Sequence, residues 1–403
     1  MKSFLLKLVL VFFALFLVLS IFELFLRVFI REPENLAKLQ SSSMFLYENK
    51  PSADFPYVSS EFDNPIHINA DGFRDNEFSF EKDDGEFRIA VLGDSYEEAL
   101  QVALSDTWQK VMASKLSGDL NKKVESFNFG VSGYGTDQEW LTLTQKVWKF
   151  SPDLIILAFS PNDVGDTFKN KLVRIRESDD LFFSTNKNEL VRLNGGKIEV
   201  ISARERAGGN FLGRIARETY VYHTIIKASS GNEFLKRVVD KVRVKILGFP
   251  KEDRFFLSDA QLVQGPFEVL ASQVNPPAAV DQTWDIVSAL VSDMEKQARE
   301  HNAGFLVTVN IPRTQVDPMS WESIRKQYHL DLDTSSSYQI NEKMDQIVRD
   351  LGVDYYDPRS DAIDWLGENG DLHWPIDAHF NVNGNLFMGT KVAEYIEANK
   401  LVK

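Results

Sequence analysis

The run Phe87-Arg-Ile-Ala-Val-Leu-Gly-Asp-Ser-Tyr-Glu97 decides how the rest of the chain is read. Apolar, partly β-branched residues end in Gly93-Asp94-Ser95, and a helical pattern opens at about Glu97, so the segment predicts a strand, a sharp turn and a helix start. A serine so placed sits at the carboxyl end of a strand and the amino end of a helix, where open α/β sheets put their chemistry. Free N–H groups of the first helical turn can stabilise negative charge beside its hydroxyl. Alone, the tripeptide is also an ordinary N-cap.

Downstream the rhythm repeats. Ala99, Leu100, Leu104, Trp108, Val111, Met112 and Leu116 recur at three- and four-residue spacings, which predicts one amphipathic helix over Glu97 to Ser117. A second strand, Val124 to Gly130, runs into the glycine loop Val131-Ser-Gly-Tyr-Gly-Thr136, and a second helix follows from Asp137 to just before Pro152. Asp153 to Phe159 is continuously apolar, as in a parallel strand buried on both faces, and ends in Ser160-Pro-Asn-Asp163. Gly165 to Ala279 interrupts the alternation with a predicted hairpin around Asn194-Gly195-Gly196, an amphipathic helix near Phe211 to Ala228 and a polar loop at Asn275-Pro276-Pro277. We read it as an insertion, a lid or substrate platform. The rhythm returns with a helix over Thr283 to Asn302, a strand Gly304 to Ile311, a helix Ser337 to Leu351 and a strand Val353 to Tyr356. A loop containing Asp371-Leu-His-Trp-Pro-Ile-Asp-Ala-His-Phe-Asn381 precedes a last helix from about Asn383 to Ala398. Five strands alternating with helices predict a doubly wound parallel sheet whose polar loops share one edge.

Upstream, Lys2 and Lys7 precede an apolar run from Leu8 to Phe22 broken only by Ser20, and apolar residues continue past Glu23 to Ile30. This is a signal peptide or a signal anchor. No small-residue cleavage site appears between Ser20 and Lys38, which favours an uncleaved transmembrane anchor with the amino terminus inward. Pro33, Pro51, Pro56 and Pro65 then break any helix, giving a stalk and extended lead-in with a turn at Asp71-Gly72 that is expected near the Ser95 crevice. The expected organisation is an anchor over 1–31, a stalk and lead-in over 32–85, and an α/β domain over 86–403 with its insertion at about 165–280.

With 403 residues, 43% of them apolar and 26% charged, the chain can bury a sizeable core. Its net charge of -14 argues against nucleic acid or an anionic lipid surface as a main partner, since both demand clustered Lys and Arg. Having no cysteine, it has no disulfide, no thiolate nucleophile and no cysteine-ligated metal. No His/Asp cluster at metal-ligand spacing appears.

An ester-cleaving serine site needs a hydroxyl, a base to take its proton, an acid to orient that base and donors for the oxyanion. Ser95 supplies the hydroxyl, His379 the base and Asp377 the orienting carboxylate. The N–H groups of Ser95 and Gly133 and the side-chain amide of Asn162 are the candidate oxyanion hole. Asp94, Tyr96, Asp163 and Trp374 are candidate substrate contacts, although Asp94 also reads as a cap and Asp163 as a loop organiser. Asp371 and His373 repeat the Asp-x-His spacing and form a rival pair.

These pieces resemble the SGNH hydrolase superfamily, the GDSL-type esterases and lipases. Gly93-Asp94-Ser95-Tyr96 resembles the first block, with Tyr in place of Leu. Asn128-Phe-Gly-Val-Ser-Gly133 is similar to the second and Pro161-Asn162-Asp163 to the third, where Ser160 replaces the usual glycine. Asp377-Ala378-His379 resembles the fifth, with one residue between Asp and His in place of the commoner two. The resemblance implies a flavodoxin-like three-layer α/β/α sandwich on a five-stranded parallel sheet, with no metal and no cofactor. It also implies acyl transfer to water or to another hydroxyl. Joined to the predicted anchor, it leads us to expect a periplasmic, membrane-anchored esterase acting on an acylated, most readily O-acetylated, glycan. The alternatives are an O-acyltransferase with the same triad and a silent binding module of envelope polysaccharide machinery.

Overall fold

The computed structural model describes residues 2–29, 38–42, 44–170, 172–177, 180–181, 190–192, 196–200, 211–217, 219–230, 233–247 and 267–402. The chain divides into two compact units: Met1–Tyr47 with Arg204–Asp253, and Glu48–Ala203 with Arg254–Lys403.

In chain order the principal elements begin with helix α1 (Lys2–Phe29) and a hairpin of β1 (Asp54–Val58) and β2 (Asp63–His67). Next come β3 (Phe87–Leu92), the short α2 (Ser95–Glu98), α3 (Trp108–Leu120), β4 (Val124–Asn128), α4 (Thr136–Thr142), β5 (Leu154–Phe159) and α5 (Asp163–Asn170). The insertion contributes a small antiparallel sheet between Val173 and Val200, then α6 (Phe211–Arg217), α7 (Tyr220–Ser230) and α8 (Glu233–Lys245). The chain closes with α9 (Ala278–Glu300), β6 (Gly304–Val309), α10 (Pro318–Tyr328), α11 (Gln339–Leu351), β7 (Asp354–Tyr356), α12 (Arg359–Asn369) and α13 (Val382–Ala398).

The larger unit is built on a five-stranded sheet in the order β4-β3-β5-β6-β7, parallel throughout. Every residue of β3 and β5 is buried, which explains their unbroken apolar sequences. Counted along the chain the strand order is 2-1-3-4-5, the flavodoxin-like arrangement, whose direction of travel reverses between its first and third strands, β3 and β5. The crevice left at their carboxyl ends is where Ser95 and Asn162 emerge. Trp108, Met112 and Leu116 of α3 pack with Phe387, Met388 and Val392 of α13, covering one face with fully buried side chains.

Several local expectations change. The single helix over Glu97 to Ser117 is two helices, α2 and α3, because Ala99 takes a left-handed φ of 48°. Buried Arg74 holds that break open: its guanidinium donates to the carbonyls of Glu98, Ala99 and Val102. Removed from solvent, it is held below the usual arginine range, at about 10. The helix near Phe211 to Ala228 is likewise two, α6 and α7, and α8, α10 and α12 are additions to the expected set. Strands Leu190–Arg192 and Gly196–Val200 pair antiparallel around the expected hairpin, whose turn residues Asn194 and Gly195 lie outside the described residues, as does the stalk around Pro33.

The sequence leads one to expect an amino-terminal transmembrane helix over residues 1–31. Residues Lys2–Phe29 do form a 28-residue helix. Among the described residues, however, no helix is long and apolar enough to cross a membrane. The apolar run of α1 is also interrupted where Glu23 accepts a hydrogen bond from the Val221 N–H of α7 at 2.9 Å and Leu26 is buried against Val221.

Candidate active site

Gly93-Asp94-Ser95 forms the turn from β3 into α2, and local hydrogen bonds explain its composition. Asp94 caps the helix by accepting from the Tyr96 N–H at 3.0 Å, while Glu97 accepts from the Asp94 N–H at 3.0 Å, a reciprocal capping box. The Glu97 carboxylate lies so close to Gly93 that a Cβ there would stand 2.0 Å from Oε2. A side chain at that turn would have to displace the buried Glu97 carboxylate. Ser95, the first residue of α2, has no intrahelical acceptor for its own N–H.

The loop before α13 carries the other two groups. His379 Nε2 lies 2.8 Å from Ser95 Oγ, across 284 residues of sequence, and His379 Nδ1 lies 2.7 Å from Asp377 Oδ1. The one-residue spacing is accommodated because Ala378 adopts a φ of 69°, folding the two side chains to the same side. Tyr96 packs against the imidazole at 5.1 Å between ring centroids and against Phe380 at 4.9 Å, so it fixes the ring from beneath. Burial alone would lower the His379 pKa, but the hydrogen bond and charge of Asp377, joined by the charge of Asp94, raise it above its ordinary value. Burial alone would raise Asp377; its bonds to His379, and a further donor in Gln101, hold it below the usual carboxylate range. Both shifts favour the charged Asp–His pair.

The rival pair is taken apart. His373 Nε2 meets the Ile311 carbonyl at 2.7 Å, and burial pushes the ring down to about 4, so it is a neutral structural group. Asp371 contributes only its carbonyl to this loop, accepting from the Asn381 and Asn383 amides.

Gly133 has a φ of 75°, a conformation that glycine adopts without strain. Asn162 lies at the site, but its amide nitrogen donates to Asp94 Oδ2 at 2.7 Å and to Asp166 Oδ2 at 3.1 Å. Here the amide braces the Asp94 carboxylate, whose Oδ2 lies 3.5 Å from Ser95 Oγ. Ser160, where the block pattern has glycine, donates its hydroxyl to Asp94 Oδ1 at 2.9 Å, so the departure supplies another brace for the same carboxylate. Asp163 is buried away from the crevice, accepting from the Ser160 N–H at 2.6 Å, and burial next to Glu139 and Asp94 raises it well above the usual carboxylate range. Trp374 is half-buried with its ring 5.7 Å from Phe62, a packing role.

Two residues of the site carry no signal in the sequence. Glu61, in the β1–β2 turn, accepts from the N–H groups of Ile376 and Asp377 at 2.9 and 2.8 Å and so clamps the loop that bears the histidine. Gln101 supports Asp377 from the α2–α3 break. A cavity of about 230 Å³ opens beside Tyr96 and Asn162, walled by apolar groups including Pro161, Val269, Trp321 and Ile324. Among the described residues, no group of three His, Asp or Glu side chains could hold a metal ion.

No family model matches the chain, and no curated protein sequence matches it. Among solved structures it is similar to an acetyl xylan esterase, AlAXEase, at 13% identity and a TM-score of 0.38, over 78% of this chain and 99% of that one. It is also similar to a catalytic mutant of an acetylxylan esterase from Geobacillus stearothermophilus, at 10% identity, TM-score 0.38, and coverage of 77% and 94%. A third similar structure, TesA, gives 10% identity, TM-score 0.36, and coverage of 77% and 98%. Likeness at this level assigns no activity; the geometry around Ser95 has to do so.

Proposed function

We propose that this chain is an SGNH-type serine esterase. The observation that carries the reading is the unbroken hydrogen-bond path from Asp377 through His379 to Ser95 at the switch point of the sheet. His379 Nε2 takes the Ser95 proton as Oγ attacks the ester carbonyl, and Asp377 holds the imidazolium that forms. The tetrahedral oxyanion is met by the N–H groups of Ser95 and Gly133, with the Asn162 amide at the edge of the same site. As the intermediate collapses, His379 gives the proton to the departing alcohol, leaving an acyl-Ser95. Water, deprotonated by the same imidazole, attacks that ester and releases the acid with the serine restored. The apolar cavity beside Tyr96 gives the acyl side of the substrate a dry wall.

The substrate we favour is an O-acetylated extracytoplasmic glycan, and α1 is its membrane anchor. Support for the anchor comes from the exposed apolar side chains of α1, among them Phe13, Phe16, Val18 and Ile21. Treatment of the protein with a fluorophosphonate, followed by mass spectrometry, tests the catalytic reading: a single adduct on Ser95 that requires His379 supports it, and an unlabelled folded protein overturns it. Acetate release from an acetylated exopolysaccharide, lost in Ser95→Ala, supports the glycan; activity confined to long-chain lipid esters would remove it.

A further inference from the structure

The smaller unit has the opposite formal charge from the catalytic one. Met1–Tyr47 with Arg204–Asp253 carries 16 Lys and Arg against 9 Asp and Glu, a net +7, while the remainder of the chain carries -21. Its apolar side chains also face outward. Along α8 and just beyond it, Leu235, Val238, Val242 and Ile246 are 46%, 44%, 40% and 57% exposed. At about 100° per residue these four fall within roughly 80° of arc, one stripe along the helix. Exposed Lys241 and Lys245 border the stripe on one side and Arg243 on the other. Neighbouring α6 adds exposed Leu212 and Ile215, and α7 adds exposed Ile225. Within this unit α8 packs on α7, and α7 meets α1 where Glu23 accepts from Val221.

We propose that α8, with the apolar edges of α6 and α7, lies in the interface of an anionic bilayer. Leu235, Val238, Val242 and Ile246 enter the boundary between headgroups and acyl chains, and Lys241 and Lys245 reach lipid phosphates while their stems stay on the apolar stripe. Charge complementarity favours anionic headgroups on this +7 unit, because the same face of a second copy would bring +7 against +7. Continuity with α1 selects it too, because the contact at Glu23 and Leu26 brings α7 to the last turns of an apolar helix. The proposal thus rests on reading α1 as an anchor, and it adds a second, lateral contact that sets the helices of the insertion on the lipid surface.

The chain has no cysteine, so Val238→Cys and, separately, Val242→Cys each give a unique thiol. Full-length protein carrying an environment-sensitive fluorophore there is reconstituted in nanodiscs of phosphatidylcholine with one-third phosphatidylglycerol, and quenching by a lipid-borne spin label is compared with quenching by aqueous iodide. Met319→Cys, at the exposed start of α10 (76% exposed), is the reference. The expected result is lipid-borne quenching at least threefold stronger at residues 238 and 242 than at 319, with iodide in the reverse order, weakened by Lys241→Glu with Lys245→Glu. Protein that stays in the disc with residues 238 and 242 open to iodide overturns the docking while leaving the anchor intact. Quenching that appears only when two chains share a disc assigns the stripe to a second copy and also overturns it. Protein that leaves the disc removes the anchor and the docking together, and neither result touches the esterase assignment.

Discussion

The two units use apolar residues in opposite ways. In the catalytic unit Trp108, Phe127, Phe159 and Phe387 are sealed inside, and even charged groups such as Arg74, Glu97 and Glu139 are buried. In the other, Leu235, Val238 and Ile246 stand in the open beside lysines. The catalytic unit also exposes large apolar side chains, Ile376, Met319 and Leu332 among them, but on separate elements. In the smaller unit the exposed apolar residues of α8 share one helix face bordered by lysines. A mutation in one should leave the other's observable alone.

The largest expected effect is at the nucleophile: Ser95→Ala should lower kcat by about 10⁴-fold or more with the melting temperature unchanged, measured by initial rates and calorimetry. Next is Asn162→Ala. If the amide turns from Asp94 to the oxyanion during the reaction, kcat falls about 10²- to 10³-fold; if it only braces Asp94, the loss is smaller and the pH profile moves. The pH profile itself follows from the raised pKa of His379. The base must be neutral, so kcat/KM should rise with pH through a midpoint above the ordinary histidine value. Asp377→Asn removes the group that raises it, so that midpoint should move to lower pH while the plateau falls.

A smaller effect tests the buried acids. Neither carboxylate oxygen of Glu139 has a hydrogen-bond partner, and burial near Asp94 and Glu97 raises its pKa well above the usual range. A carboxyl raised in the folded state favours folding while protonated, and that contribution is lost as pH rises through the raised value. Glu139→Gln should therefore stabilise the protein by on the order of 1 kcal/mol at pH 8 and by less at pH 5, read by denaturant unfolding at the two pH values. The smallest effect sharpens the contrast from the other side: Leu235→Ser with Val238→Ser should leave kcat/KM on a water-soluble ester within about twofold, because surface changes outside the site rarely propagate.

Much of the catalytic unit is legible in its sequence because fully buried parallel strands leave continuous apolar runs, as at Ile89–Leu92 and Leu154–Phe159, and each ends in a turn with its own polar signature. The positions of Ser95, Gly133 and Asn162 follow from those ends, whereas His379 lies beyond α12 in a loop that ends no strand of the sheet. The break at Ala99 does not, because it is held by Arg74 from more than twenty residues upstream and the local helical spacing continues straight through it. Glu61 is equally silent: a turn glutamate at a distance of over three hundred residues from its partners leaves no periodic mark. The bond from Asn162 to Asp94 is invisible for a related reason, since only the fold brings that carboxylate to the amide from 68 residues away.

The Glu61 clamp and the 284-residue separation of Ser95 from His379 impose an order on when the chain becomes reactive. As synthesis proceeds, the sheet strands and the serine exist long before the loop that can deprotonate it, and that loop is held in place by a turn made earlier still. A nascent or truncated chain therefore carries an inert hydroxyl. Reactivity begins as a single late event, when the last loop closes onto the hairpin that carries Glu61.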